Sequence, residues 1–210
     1  KRILALYATP SRPGFCIHIG CQIFVKDEDG NSPPGIGAFA LPMPKWLLHI
    51  TSSLFLHQDA VFLHRQEKIL AHSGYLAQPG GGSYARAVYT PTPADKMVLT
   101  FRGWLERRAG GGVPWAGNPT LPPEADEGAL FDVYHSHVKN CRHCLAALTN
   151  LRRLRVAAFV IAGCFSTVAR AFVGIVPSTA LAMAAAGAGC ALGKIIGLFY
   201  RYEFSHASND

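Results

Sequence analysis

The hydrophobic pattern changes character several times along the chain. Residues 3–8, "ILALYA", and 14–25, "GFCIHIGCQIFV", are short runs rich in Ile, Tyr and Phe, and they predict two strands. "KDEDGNSPPG" after them predicts a solvated loop. From 45 to 71 the spacing becomes helical. Within "QDAVFLHRQEKIL" it places Ala60, Leu63, Glu67 and Leu70 on one face, with Phe62 and Gln66 beside it. The Gly- and Pro-rich stretch 72–93 predicts an irregular segment. Its "GGGS" lacks the Lys and Ser/Thr that would make it a phosphate loop. "PADKMVLTFRGWLERRAGGGVPW" predicts a second helix, with Asp95 near its start and the glycines 110–112 ending it. Phe101 and Trp104 on it are expected to pack. "AGNPTLPPEADEGA" reads as a linker, and 130–155 as a third helix ending in basic residues.

The remaining chain is apolar. Residues 156–176 carry one charge, Arg170, and 179–200 carry one, Lys194, with Pro177 and Ser178 between them. Both stretches have the length of a bilayer span. They predict a transmembrane hairpin whose outer ends share one side. Arg152, Arg153 and Arg155 flank one end and Arg201 the other, as expected of the positive side. Lys194 and Arg170 can snorkel to the two surfaces. Small residues at 184–193 would let the helices approach closely. The alternative is a buried soluble hairpin. The chain divides into a domain at 1–118, a linker and helix at 119–153, the hairpin at 154–200 and a polar tail at 201–210.

Charge follows the same reading. Twenty Lys and Arg against 13 Asp and Glu give +7. The densest arginines precede the apolar segment, so the excess points to a membrane surface and not to nucleic acid. The six cysteines lack the spacing of a secreted disulfide scaffold. Cys16 and Cys21, an odd number apart, should face opposite sides of a strand.

Two features could carry chemistry. Cys141 and Cys144 form a CxxC, able to close a disulfide or to ligate a metal. On a continuous helix His137 would share their face, but a zinc site lacks its usual second pair of ligands. A redox dithiol is the preferred reading. Asp59 is the second feature: a carboxylate opening an apolar helical stretch, readable as a cap, a surface charge or a metal ligand. His49, His57 and His64 flank it and are expected on a polar face or in a pocket.

The succession "KWLLHITSSLFLHQDAVFLHRQEKIL", "YTPTPADKMVLTFRGWLERRAGGGVPW", "LFDVYHSHVKNCRHC" and two apolar spans resembles the C-terminal part of the pheophorbide a oxygenase group. That group includes the chloroplast translocon-associated Rieske proteins and, more distantly, chlorophyllide a oxygenase. The resemblance implies an α+β fold: the C-terminal part of a helix-grip catalytic domain, followed by a two-helix transmembrane hairpin. It implies a mononuclear non-haem Fe(II) in a two-histidine, one-carboxylate triad, with Asp59 as the carboxylate. It also implies a [2Fe-2S] Rieske cluster. The ligands of that cluster and the iron histidines are not in this sequence and are expected before Lys1, in a longer protein. Cys141 and Cys144 match a pair that looks like a thioredoxin target.

The implied activity is dioxygen-dependent oxidation of a chlorophyll-related tetrapyrrole with electrons from ferredoxin. Pheophorbide a is the first choice and chlorophyllide a oxygenation the runner-up. The implied setting is a homo-oligomer, a trimer by analogy, anchored in the chloroplast inner envelope or thylakoid. One rival is a membrane-anchored redox-sensing component of a chloroplast import complex without turnover. Another is a degenerate product without activity.

Overall fold

The computed structural model describes residues 2–31, 43–74, 84–115 and 120–201. The "GGGS" stretch and most of the tail lie outside them. So does part of the irregular segment and of the linker. The described chain contains two strands and eight α-helices. They form two compact units, one of residues 1–41 with 62–125, the other of 42–61 with 126–210.

In the first unit, β1 (Arg2–Arg12) and β2 (Phe15–Phe24) pair antiparallel. Gly14, at φ +74°, supplies the left-handed residue of the turn. A Cβ there would also meet Pro122 at 2.7 Å. Cys21 lies opposite Ala5 and Cys16 opposite Pro10, so the two cysteines face opposite sides, as their spacing requires. Ile3, Tyr7, Ile17, Ile19 and Ile23 are all exposed, and they share one face of the ribbon.

Helix α1 runs from Lys45 to His72 and supplies residues to both units. The buried positions follow the face the apolar letters suggested only in part. Leu70 is buried as expected, but Leu63 is 63% exposed and Ala60 is exposed too, while Ile50, Ser53, Val61 and Lys68 are buried. The stripe keeps the helical period but runs through polar side chains. His64 accepts the Ala125 N–H at 3.0 Å, and Lys68 donates to the Pro122 carbonyl. These bonds let residues other than Leu and Phe occupy the inner face.

Helix α2 (Tyr84–Ala87) is one turn. Helix α3 (Lys96–Arg108) follows a 3₁₀ turn, Pro93–Asp95. The Asp95 carboxylate accepts the Thr92 N–H and hydroxyl, closing the helix start. Gly110 and Gly111 both have positive φ and stop it. Phe101 and Trp104 stack on each other at 6.2 Å, both about half exposed.

In the second unit the expected third helix is broken into pieces. Helix α4 (Glu127–Leu130) and helix α5 (Val133–Ser136) are capped by Asp126 and Asp132. A 3₁₀ turn, Val138–Asn140, then leads to α6 (Arg142–Thr167). Each aspartate competes with the helix backbone and starts a new turn instead.

Helix α7 (Arg170–Val173) and Gly174, at φ +92°, turn the chain into α8 (Ile175–Gly197). The break expected at Pro177 and Ser178 therefore falls earlier. Pro177 sits in the first turn of α8, where no intrahelical N–H is needed. Helices α6 and α8 pack together. A Cβ at Gly189 would lie 2.9 Å from Phe159, and one at Gly193 would lie 3.2 Å from Arg155.

Among the described residues one helix, Ile175–Gly197, is long and apolar enough to cross a membrane. Helix α6 falls short, because it carries Arg152, Arg153 and Arg155 and ends at Thr167.

Candidate functional site

The core of the second unit gathers Ile50, Val133, Val138, Cys144, Leu148, Ile196 and Phe199. Trp46 stacks near Phe199 at 5.8 Å, and Tyr134 on Tyr200 at 5.2 Å. The end of α8 is tied to the segment before the CxxC. Val133 donates its N–H to the Tyr200 carbonyl at 2.9 Å, and the Asp132 and Arg201 backbones form an isolated antiparallel β-bridge. Arg152 on α6 hydrogen-bonds the Tyr200 hydroxyl.

Four metal-capable side chains meet on this core: His49, His137, Cys141 and Cys144. All four ligand atoms lie within 4.8 Å of one another. His49 reaches the site from α1, one turn after Trp46 and beside Ile50. His49 Nδ1 stands 3.2 Å from His137 Nε2, and 3.4 Å from each of Cys141 Sγ and Cys144 Sγ. Cys144 Sγ is also 3.4 Å from His137 Nε2. Cys141 holds the position just before α6, and Cys144 lies in its first turn.

His137 occupies the break before the 3₁₀ turn, at φ −137° and ψ −56°. The shared helical face anticipated for His137 and the cysteines does not exist. The interruption is what swings the imidazole over the helix start.

Cys144 is fully buried and the other three half-buried. Burial, reinforced by the hydrogen bond and charge of Cys141, pushes the Cys144 thiol up to about 12. Burial, with the neighbouring His49 and His57, lowers the His137 pKa. Both shifts disfavour a charged side chain. Such a set can hold a metal, or its two thiols can be oxidised.

His49 was the member sequence reasoning missed. Its signal was a histidine in register with Trp46, Ile50 and Ser53 on an inward stripe. His57 and His64 instead bond backbone groups, the Leu130 carbonyl at 3.2 Å and the Ala125 N–H.

Asp59 lies in the middle of α1 and is exposed. The cap reading fails, because the helix starts at Lys45. No group of three or more converging metal-capable side chains among the described residues includes Asp59.

Residues 1–75 match the family model described as pheophorbide a oxygenase. The chain is 30% identical over 158 residues to flavonoid 8-hydroxylase 2, chloroplastic, of Ocimum basilicum, covering 73% of this chain and 27% of that protein. It is 32% identical over 151 residues to pheophorbide a oxygenase, chloroplastic, of Oryza sativa subsp. japonica, covering 70% and 28%. It is 34% identical over 117 residues to protochlorophyllide-dependent translocon component 52, chloroplastic, of Arabidopsis thaliana, covering 54% and 20%. The chain thus spans about a quarter of the length of these relatives. No solved structure matches it.

Proposed function

We propose, from the relationship of this chain to the pheophorbide a oxygenase group, that it is the C-terminal part of a chloroplast oxygenase held at a membrane by α6 and α8. The observation that carries this reading is the match of residues 1–75, the sheet and α1, to that family. The relatives named chloroplastic favour the compartment.

Membrane attachment is supported by α8 and by the outward faces of the pair. Val160 and Ile161 on α6, and Val176 and Met183 on α8, are all exposed. An apolar surface of that kind is unfavourable in water and favourable in lipid. Arg152 and Arg155 approach the far end of α8, through Tyr200 and Gly193. Positive charge therefore gathers at one end of the pair, which would face the surface.

The reaction proposed is oxidation of a chlorophyll-related tetrapyrrole by dioxygen, with electrons from ferredoxin. Pheophorbide a is the first substrate to test and chlorophyllide a the second. A relative of similar identity is named for a flavonoid, so a flavonoid belongs in the same assay. Turnover by the purified full-length protein with reduced ferredoxin tests the reading. Absence of oxygen-dependent product from every one of these substrates overturns it.

The mononuclear iron and Rieske cluster of the family find no complete site in this chain. Asp59 would contribute one carboxylate to the iron, and the remaining ligands would come from elsewhere in the protein. No iron chemistry is therefore assigned to these residues. In the full-length protein Asp59→Ala should lose mononuclear iron and keep the Rieske spectrum. Full iron occupancy in that variant rejects the assignment.

The relative named as a translocon component favours a second reading, a redox-sensing import component without turnover. In it Cys141 and Cys144, both free thiols here, form a disulfide that thioredoxin reduces. Oxygen-dependent turnover separates the two readings.

A further inference from the structure

We propose that His49, His137, Cys141 and Cys144 bind a single zinc ion in a closed, tetrahedral, structural site. Zinc takes nitrogen at about 2.0–2.1 Å and thiolate at about 2.3 Å. In a tetrahedron those bonds separate two nitrogens by roughly 3.3 Å, and a nitrogen from a sulfur by roughly 3.5 Å. The separations here are 3.2 Å between the two nitrogens and 3.4 Å for three nitrogen–sulfur pairs. Four of the six edges of a zinc tetrahedron are thus in place, and the other two pairs of ligand atoms lie within 4.8 Å.

Hydrogen bonding does not account for this convergence. A ring nitrogen offers one N–H or one lone pair, in the ring plane. His49 Nδ1 has three neighbours within 3.4 Å, and it can direct that one group at only one of them. A cation between the four atoms satisfies all of them at once. Two thiolates also cancel the charge of a divalent ion, so the assembled site is neutral among apolar neighbours.

The donor set selects the metal. Two thiolates and two imidazoles in a tetrahedron suit zinc. A Rieske centre also uses two Cys and two His, but its histidines hold one iron and its cysteines the other. Here His49 Nδ1 is as close to both sulfurs as they would be on one ion. A dioxygen-activating iron keeps open positions, whereas this site offers four protein ligands. The burial of Cys144 further favours ligation over service as an accessible redox thiol.

A zinc ion here would pin α1 to the start of α6, through His49 on one side and both cysteines on the other. The metal therefore acts on how this unit holds together and not on the oxidation chemistry.

The test uses the full-length protein, purified reduced in detergent without a metal-affinity step, with zinc and iron measured separately. About one zinc per chain is expected, as for other closed Cys and His sites. His49→Ala and the Cys141→Ser/Cys144→Ser pair should each lose it. Cys164→Ser and Cys190→Ser should keep it. Cobalt exchanged into the wild-type protein should give the intense visible bands of a tetrahedral thiolate complex, a readout independent of how the variants fold. Absence of zinc together with absence of those bands overturns the proposal. So does zinc that survives the cysteine substitutions, or a Cys141–Cys144 disulfide in protein purified anaerobically.

Discussion

His49 Nδ1 stands 3.2 Å from His137 Nε2, although 88 positions separate them in sequence. One ring comes from a long helix and the other from a one-residue interruption between short helices. If a metal joins them, stripping it with a strong chelator should lower the thermal midpoint of the full-length protein by several degrees. Loss of a structural ion removes its binding free energy from the folded state. Calorimetry before and after zinc is restored checks this, and an unchanged midpoint speaks against a structural ion.

Gly189 and Gly187 lie on the same helix but should respond differently to substitution. A Cβ at Gly189 meets the Phe159 ring at 2.9–3.1 Å, whereas one at Gly187 meets nothing within 4 Å. Gly189→Leu should separate α6 from α8 and cost about 1–3 kcal/mol, the range for overpacking. Gly187→Ala should be neutral or slightly stabilising, since it only restricts the unfolded chain. Thermal unfolding in detergent distinguishes the two.

Asp132 caps α5, accepting the His135 N–H at 2.9 Å and facing the His135 ring at 2.6 Å. Burial opposes its charge, but the His135 backbone and ring bonds outweigh that and hold its pKa below the ordinary 3.8. A lowered carboxylate stabilises the fold fully above 3.8, and the contribution disappears as pH falls through the folded-state value. Asp132→Ala should cost about 1 kcal/mol near neutrality, as cap losses do. The difference from wild type should vanish under strongly acidic conditions. Urea unfolding at two pH values reads both.

Lys68 is 7% exposed and donates to the Pro122 carbonyl. Its Glu67 neighbour, at 4.0 Å, is a weaker partner. Lys68→Met keeps the apolar stem and orphans a carbonyl. The expected loss is about 1–3 kcal/mol, the cost of an unmade buried hydrogen bond. Denaturant midpoints measure it, and a neutral result would mean that water replaces the ammonium.

Much of the fold was legible because local chemistry decides it. The extent of α1 followed from helical spacing between "ALPMP" and the Gly/Pro-rich stretch. The end of α3 followed from glycine, and the sheet from two β-rich runs. The site was half legible. Cys141 and Cys144 announce themselves by adjacency, while His49 is brought in by packing that no local window contains.

The break at His137 was hidden for a different reason. "HSHVKN" contains neither Gly nor Pro, and Asp132 looks like any surface acid until it caps α5. The inner face of α1 was read correctly at Leu70 and misread elsewhere, because Lys68 is apolar along its stem and Leu63 is exposed. Arg152, Arg153 and Arg155 lie within α6 and shorten its apolar part, so among the described residues α8 alone is long and apolar enough to span.

The core beneath the four side chains has a consequence in time. Ile196, Phe199 and Tyr200 floor and clasp the segment that carries Val133, Val138 and Cys144. The cysteines precede that floor in the chain and are made before it. Until residues 196–200 have been synthesised and α8 has turned back along α6, Cys141 and Cys144 have no apolar seat, and the His137 turn has no clasp. The nascent chain therefore passes through an interval in which both thiols are open to oxidants and to stray metals. The packing of α8 along α6 closes that interval, so how quickly the two helices pair sets how long the thiols stay open.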